Sequence, residues 1–164
     1  MTPEEIGAVM ADPVATRLLD SGNPARLAYV APDGTPRVIP VGFFWNGRTI
    51  VIGTVPGSAK VVALRANPAV AITIDTSAPE WPPNVLLIRG TAEVSEVDGV
   101  FDEYVEAARK VTPAETFPEW EAGVRGLYDR MTRLDITPTW VRVHDFETRI
   151  PQAVEELVRA RSGG

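Results

Sequence analysis

A chain of 164 residues, 45% of them apolar, is one domain by length and buries a core without staples. With no cysteine and a single histidine it excludes disulfides, thiolate nucleophiles and a multi-histidine metal site within one chain. A formal net charge of −6 argues against a general nucleic-acid or anionic-membrane binder, and no stretch is apolar enough to span a bilayer.

The N-terminal MTPEEIGAVMADP has acids where a basic leader would begin and no apolar run, so a cytoplasmic location is expected. Thr2, Pro3 and Glu5 have the spacing of a capping box with proline at the first helical position. A second short helix is expected after Asp12-Pro13, with Val14, Leu18 and Leu19 inward. These helices account for residues 1–22. Arg26 to Ala31 reads as a first strand, turned by Pro32-Asp33-Gly34 into a second over Thr35 to Trp45. Asn46-Gly47 is the expected type I′ hairpin turn into a third strand, Arg48 to Thr54.

Pro56-Gly57 then breaks the strand, and Ser58 stands at the N-cap of a helix over Ala59–Ala66. Lys60 is unusual there, because the free N–H groups of a first turn already make the local field positive. Two readings stand side by side. Gly57, Ser58, Ala59 and Lys60 form a phosphate site, or the helix is ordinarily capped and the lysine is solvated. Pro40 and Gly42 also allow two readings: a planar ring lying along the strand, or a barrel corner that bends there. Two lysines stand against fourteen arginines. This is read as compositional bias, with no functional weight.

Ala69 to Asp75 is a fourth strand with Val70, Ile72 and Ile74 on one face. Thr76 to Asn84 is a proline-rich loop in which Trp81 covers the core, a ligand or a partner subunit. Val85 to Val97 is a fifth strand. Residues 98–131 read as a helical insertion: one helix capped by Asp98 with Phe101, Tyr104, Val105 and Ala108 inward, and a second opened by a capping box at Thr116-Glu119 with Trp120, Val124, Leu127 and Met131 on one stripe. The last strand lies in 132–147, from about Trp140, and Pro151 opens a final helix to 161 with Val154, Leu157 and Val158 inward. The whole, 1–164, is a single domain, mainly β with peripheral helices, built on a six-stranded antiparallel barrel whose core, with the loop before its short helix, occupies 25–97.

Three pieces, APDGTPRVIPVGFFW, IVIGTVPGSAKVVALRANPAVAI and LLIRGTAEV, resemble in order and spacing the split-barrel flavin family of pyridoxamine-phosphate oxidases and flavin/deazaflavin-dependent oxidoreductases. The resemblance implies an FMN-binding split β-barrel, paired as a homodimer with the cofactor in a groove between subunits. It places the ring of FMN or of an F-420-type deazaflavin along Val38, Ile39, Pro40, Val41, Gly42, Ile52, Gly53 and Thr54. The phosphate falls at Gly57, Ser58, Ala59 and Lys60, and Trp81, with the region near Trp140, comes from the other subunit. Val85 and Leu87, on the second face of a strand whose first face is already apolar, also point to a dimer. Ser58 stands where the family often has arginine. The arginine-bearing C-terminal motif of pyridoxamine-phosphate oxidases is not matched by PQAVEELVRARSGG, so that particular activity is not expected.

No G-x-S-x-G elbow is present, and carboxylate pairs such as Asp102-Glu103 fall on solvated helix faces. No catalytic side chain is identified and no metal is expected. That suits an enzyme whose cofactor carries the chemistry. The leading expectation is hydride transfer between the flavin or deazaflavin and a small organic substrate. The alternatives are a non-catalytic carrier of flavin, haem or another planar ligand, a structural dimer with a decayed site, and, more remotely, an oligonucleotide-binding barrel.

Overall fold

The computed structural model describes residues 1–76 and 81–162. The predicted loop around Glu80 therefore lies partly outside the described residues, as do the terminal glycines at 163 and 164. Helix α1 (Pro3–Met10) starts as its sequence dictates: Glu5 N–H donates to Thr2 Oγ1 at 3.2 Å, and Thr2 N–H donates to Glu5 Oε2 at 2.8 Å. Helix α2 (Pro13–Asp20) is capped by Asp12, whose carboxylate accepts from Val14 N–H at 2.8 Å. It buries Ala15, Leu18 and Leu19.

The strands are β1 (Ala25–Val30), β2 (Pro36–Val41), β3 (Phe44–Trp45), β4 (Ile50–Thr54), β5 (Ala69–Asp75), β6 (Val85–Asp98) and β7 (Arg130–His144). They form one seven-stranded sheet in the order β2-β1-β5-β6-β7-β4-β3, with every pairing antiparallel. The expected six-stranded barrel is corrected on two points. The strand expected over Thr35 to Trp45 breaks at Gly42-Phe43, and its halves lie on opposite edges of the sheet, so the hydrogen-bonded sheet is open. β2 carries two prolines, Pro36 and Pro40, which have no N–H to donate and suit an edge. Only two residues join β2 to β3, so a trans chain holds the two edges within about 11 Å. The sheet curls around its core without closing its ladder.

Leu27, Ile52, Ile72, Ile74, Leu86, Ile88, Leu134 and Ile136 meet inside this curl, each no more than 2% exposed. β4 is buried on both sides. Ile50 and Ile52 face the main core, while Val51 joins Phe101 and Met131 in a second cluster under the helical insertion. Two-sided burial explains why IVIGT reads as an apolar run and not as an alternation. β6 and β7 pair from Val85↔His144 to Asp98↔Arg130, with a register shift at Arg89/Gly90. A Cβ on Gly90 would lie 2.7 Å from the Thr137 carbonyl oxygen, so glycine is needed for the strands to meet.

Several local expectations are corrected. The Asn46-Gly47 turn is not type I′: only Gly47 has positive φ, at 88°, and Asn46 Oδ1 accepts from Arg48 N–H and Thr49 N–H at 2.9 and 2.7 Å. Helix α4 (Asp102–Arg109) begins at Phe101 and not at Asp98, because β6 continues through Asp98. Thr116 precedes α5 (Phe117–Leu127) in a helical conformation and makes no side-chain cap; its hydroxyl donates to the Pro113 carbonyl instead. Met131 belongs to β7, not to α5, and β7 runs ten residues further toward the N-terminus than a start at Trp140, since pairing with β6 recruits Arg130 onward. In α6 (Gln152–Ser162), Val154, Leu157 and Val158 are 44%, 53% and 51% exposed and not inward.

Candidate functional site

Helix α3 (Ala59–Ala66) is held on the sheet by Val61 and Leu64, both fully buried. Gly57, at φ 72°, makes the turn into it, and Ser58 occupies the N-cap. The Ser58 side chain makes no cap: its Oγ lies 3.4 Å from Thr54 Oγ1. Among the described residues, the N–H groups of Ala59 and Lys60 meet no side-chain acceptor. Lys60 is half-buried, and among the described residues its amine has no hydrogen-bond or ion-pair partner. Burial pushes its pKa below the ordinary lysine range.

The helical insertion comes down over the outer face of β4. A Cβ on Gly53 would sit 2.3 Å from Tyr104 Cδ2, so glycine lets the α4 tyrosine lie directly on the strand. Tyr104 stacks on Trp120 of α5, with ring centroids 6.1 Å apart at 27°, and Trp120 packs on Phe117 at 5.6 Å. Arg133 of β7 ties α4 to the sheet by donating to Glu103 at 2.9 Å and to Asp135 at 2.7 Å. Those carboxylates, Glu103 first, raise the guanidinium further above its ordinary value. At the end of α4, Lys110 Nζ donates to the Leu19 carbonyl at 2.6 Å and lies 4.6 Å from the centre of the Phe43 ring. Burial lowers its pKa, partly opposed by the Asp20 carboxylate.

These elements enclose a cavity of about 530 Å³, within the usual range for small-molecule sites. The β2–β3 junction supplies Val41, Gly42 and Phe43; β4 supplies Gly53; α3 supplies Lys60; and the insertion supplies Tyr104, Lys110 and Trp120. Both lysines of the chain line it, and among the described residues no aspartate or glutamate does. Gly42 is exposed, with no atom within 4 Å of where its Cβ would be, so a ligand can reach the backbone there.

Of the residues singled out from sequence, the structure brings Val41, Gly42, Gly53 and Lys60 to this cavity. Thr54 and Ser58 meet each other at the foot of α3, with Gly57 and Ala59 exposed beside them. Ile52 lies in the core at 1% exposure and Ile39 packs against that core. Val38, 66% exposed, and Pro40 point outward from β2, and Trp81 is 85% exposed. Sequence reading did not find Phe43, Tyr104, Lys110 or Trp120 as site residues. The scarcity of lysine was the available signal, since the only two converge on one cavity.

The sequence model described as pyridoxamine 5'-phosphate oxidase matches residues 11–145, and the chain belongs to that family. No curated protein sequence matches it. Among solved structures, one described as an F420 reductase is 28% identical, with TM-score 0.57, over 76% of this chain and 93% of that one. HutZ, the haem storage protein from Vibrio cholerae, is 19% identical, with TM-score 0.58, over 81% and 92%. An FAD-binding protein from Mesorhizobium loti is 17% identical, with TM-score 0.50, over 87% and 92%. The last two likenesses are of fold. Among the described residues no helix is long and apolar enough to cross a membrane.

Proposed function

We propose that the chain is an oxidoreductase that holds FMN or a phosphate-bearing deazaflavin beside Gly42 and moves a hydride between it and a small organic substrate, acting as a cytoplasmic homodimer. One observation carries the reading: a cavity with aromatic side chains in its walls contains both lysines of an acidic chain and, among the described residues, no carboxylate. The residues present fit such a coenzyme. Lys60 offers a half-buried ammonium, without a partner among the described residues, at the start of α3 next to Ser58 and the first-turn N–H groups, where a phosphate is favoured. Gly42 gives a flat ring access to the backbone. The likeness to an F420 reductase supports the deazaflavin arm and the likeness to an FAD-binding protein the flavin arm.

When bound, the coenzyme supplies the hydride acceptor or donor. The chain's own part is to anchor, orient and dry the site. Lys60 would hold the coenzyme phosphate, and Gly42 at the β2–β3 junction would admit the ring. Tyr104 and Trp120 wall off water on the insertion side, and burial, with Tyr128 nearby, raises the Tyr104 pKa above its ordinary value. Val38 and Val62 are 66% and 51% exposed and Val85 and Leu87 are half-buried, so each keeps apolar surface for the proposed dimer to bury.

Haem carriage has less support, because the single histidine, His144, is outside this cavity, with Nδ1 3.3 Å from the Arg149 carbonyl oxygen. Titrating the purified protein with FMN and with F420, followed by absorbance and by light scattering, tests the proposal. Binding of one coenzyme with a dimer mass is expected. Binding of neither would overturn the reading, and binding without hydride transfer to any acceptor would favour a carrier.

A further inference from the structure

We propose that the Lys110 end of the cavity receives the anionic group of the substrate, and that the substrate is a planar conjugated carboxylic acid. The inference rests on the reading above, in which Lys60 serves the coenzyme phosphate and leaves Lys110 for a second anion.

Lys110 is placed for this by contacts distant in sequence. Its amine is steadied by the Leu19 carbonyl, 91 residues away, and by the face of Phe43. An ammonium has three donors, and among the described residues only the Leu19 bond uses one. Half-burial makes that charge costly until an anion joins it, which is why its proton affinity is lowered. The carboxylate that influences it, Asp20, is exposed and forms no ion pair with it among the described residues. Among the described residues, the cavity therefore presents a cation with no ion-pair partner and no acid in its lining.

The surrounding surface selects the rest of the molecule. Phe43, 3% exposed, backs the amine, and Tyr104 and Trp120 contribute a stacked pair of rings to the same cavity, which supplies its aromatic surface. Ala107, Ala108 and Val111 add hydrocarbon, and Ser21, Asn23 and Thr112 add polar side chains to the same lining. A flat conjugated acid gains ring contact along this wall and places its carboxylate at the amine. A neutral analogue of the same shape keeps the ring contact and loses the charge-assisted bond.

Calorimetric titration with trans-cinnamate and cinnamamide tests this on the intact protein, with and without coenzyme. Wild type is expected to prefer cinnamate by about tenfold or more. Lys110→Met should abolish the preference, Lys110→Arg should keep most of it, and Lys60→Met should keep it while weakening coenzyme binding. No binding of cinnamate, an equal affinity for the two probes, or a preference that survives Lys110→Met would overturn the assignment. A preference that vanishes in Lys60→Met would overturn it too, and needs no Lys110 variant to fold. If neither coenzyme binds but cinnamate selection depends on Lys110, the anion site stands and the oxidoreductase reading fails.

Discussion

Gly53 of β4 and Tyr104 of α4 lie so close that a Cβ on the glycine would be 2.3 Å from Tyr104 Cδ2 and 3.0 Å from Phe101 Cζ. This contact fixes the helical insertion on the sheet and so forms one wall of the cavity. Gly53→Ala should destabilise the protein by about 1–3 kcal/mol, the usual cost of overpacking. Denaturant unfolding of Gly53→Ala and of Gly53→Ala/Tyr104→Ala measures it, and the second variant should cost less than the sum of the two single changes. An additive result would mean that the contact does not hold α4 in place.

Lys60→Ala should weaken coenzyme binding by about one to two decades, the worth of a charge-assisted contact of roughly 1.5–3 kcal/mol. Ser58→Ala should weaken it less. The uncomplexed protein should lose no stability, because among the described residues the Lys60 amine pairs with nothing. Equal coenzyme affinity in Lys60→Ala and wild type would move the phosphate elsewhere.

The same lysine sets a pH dependence. Burial lowers the folded-state pKa of Lys60, so the unfolded chain holds its proton to higher pH than the folded one. Stability from this group therefore rises as pH rises through the window between the lowered value and the ordinary lysine value. Coenzyme affinity runs the other way and falls as the ammonium deprotonates. Lys60→Met should flatten both profiles, which thermal melts and coenzyme titrations over alkaline pH can follow.

Gly42→Val should leave the fold intact and abolish coenzyme binding. A Cβ at this position has nothing within 4 Å, so the branched side chain enters space that a ring would occupy. A melting temperature near wild type with normal coenzyme spectra would show that the ring lies elsewhere.

At the end of β7, Asp145 accepts from the N–H groups of Glu147, Thr148 and Arg149 at 3.0, 2.8 and 2.8 Å. Arg149 also donates to Asp12, the cap of α2, at 2.6 Å. Hydrogen bonds, first from the Thr148 hydroxyl, hold the Asp145 carboxyl far below the usual carboxylate range. Its contribution to stability is present above the unfolded value of about 4 and is lost as pH falls below it. Asp145→Asn should lower the melting temperature at neutral pH and reduce its decline in acid.

Features set by neighbours a few residues apart were legible in the sequence. The Thr2–Glu5 capping box, the proline starts of α1 and α2, Ser58 at the head of α3 and the period-two faces of β5 and β6 depend on short chain segments. The family resemblance was likewise legible in three local pieces and agrees with the match over residues 11–145. Even locally, residue type did not decide geometry where two bonds competed. Asn46 closes its turn with its side chain, and the Thr116 hydroxyl turns back to Pro113 and leaves its helix uncapped.

Long-range packing decided the rest. Nothing in TRLDITPTW requires a strand until β6 lies beside it, though Leu134 and Ile136 alternate with Arg133 and Asp135 as a strand would. That Thr35–Trp45 would break at Gly42 and join opposite edges of the sheet follows from the curl of the sheet as a whole. The cavity depends on the same kind of contact. Lys110 reaches Leu19 across 91 positions, and Tyr104 covers Gly53, so the helical insertion brings a second lysine and the rings of Tyr104 and Trp120 to the place where sequence had put Val41, Gly42, Gly53 and Lys60. Such contacts appear only when distant surfaces bury each other, because their free energy belongs to the packed pair and not to either segment alone.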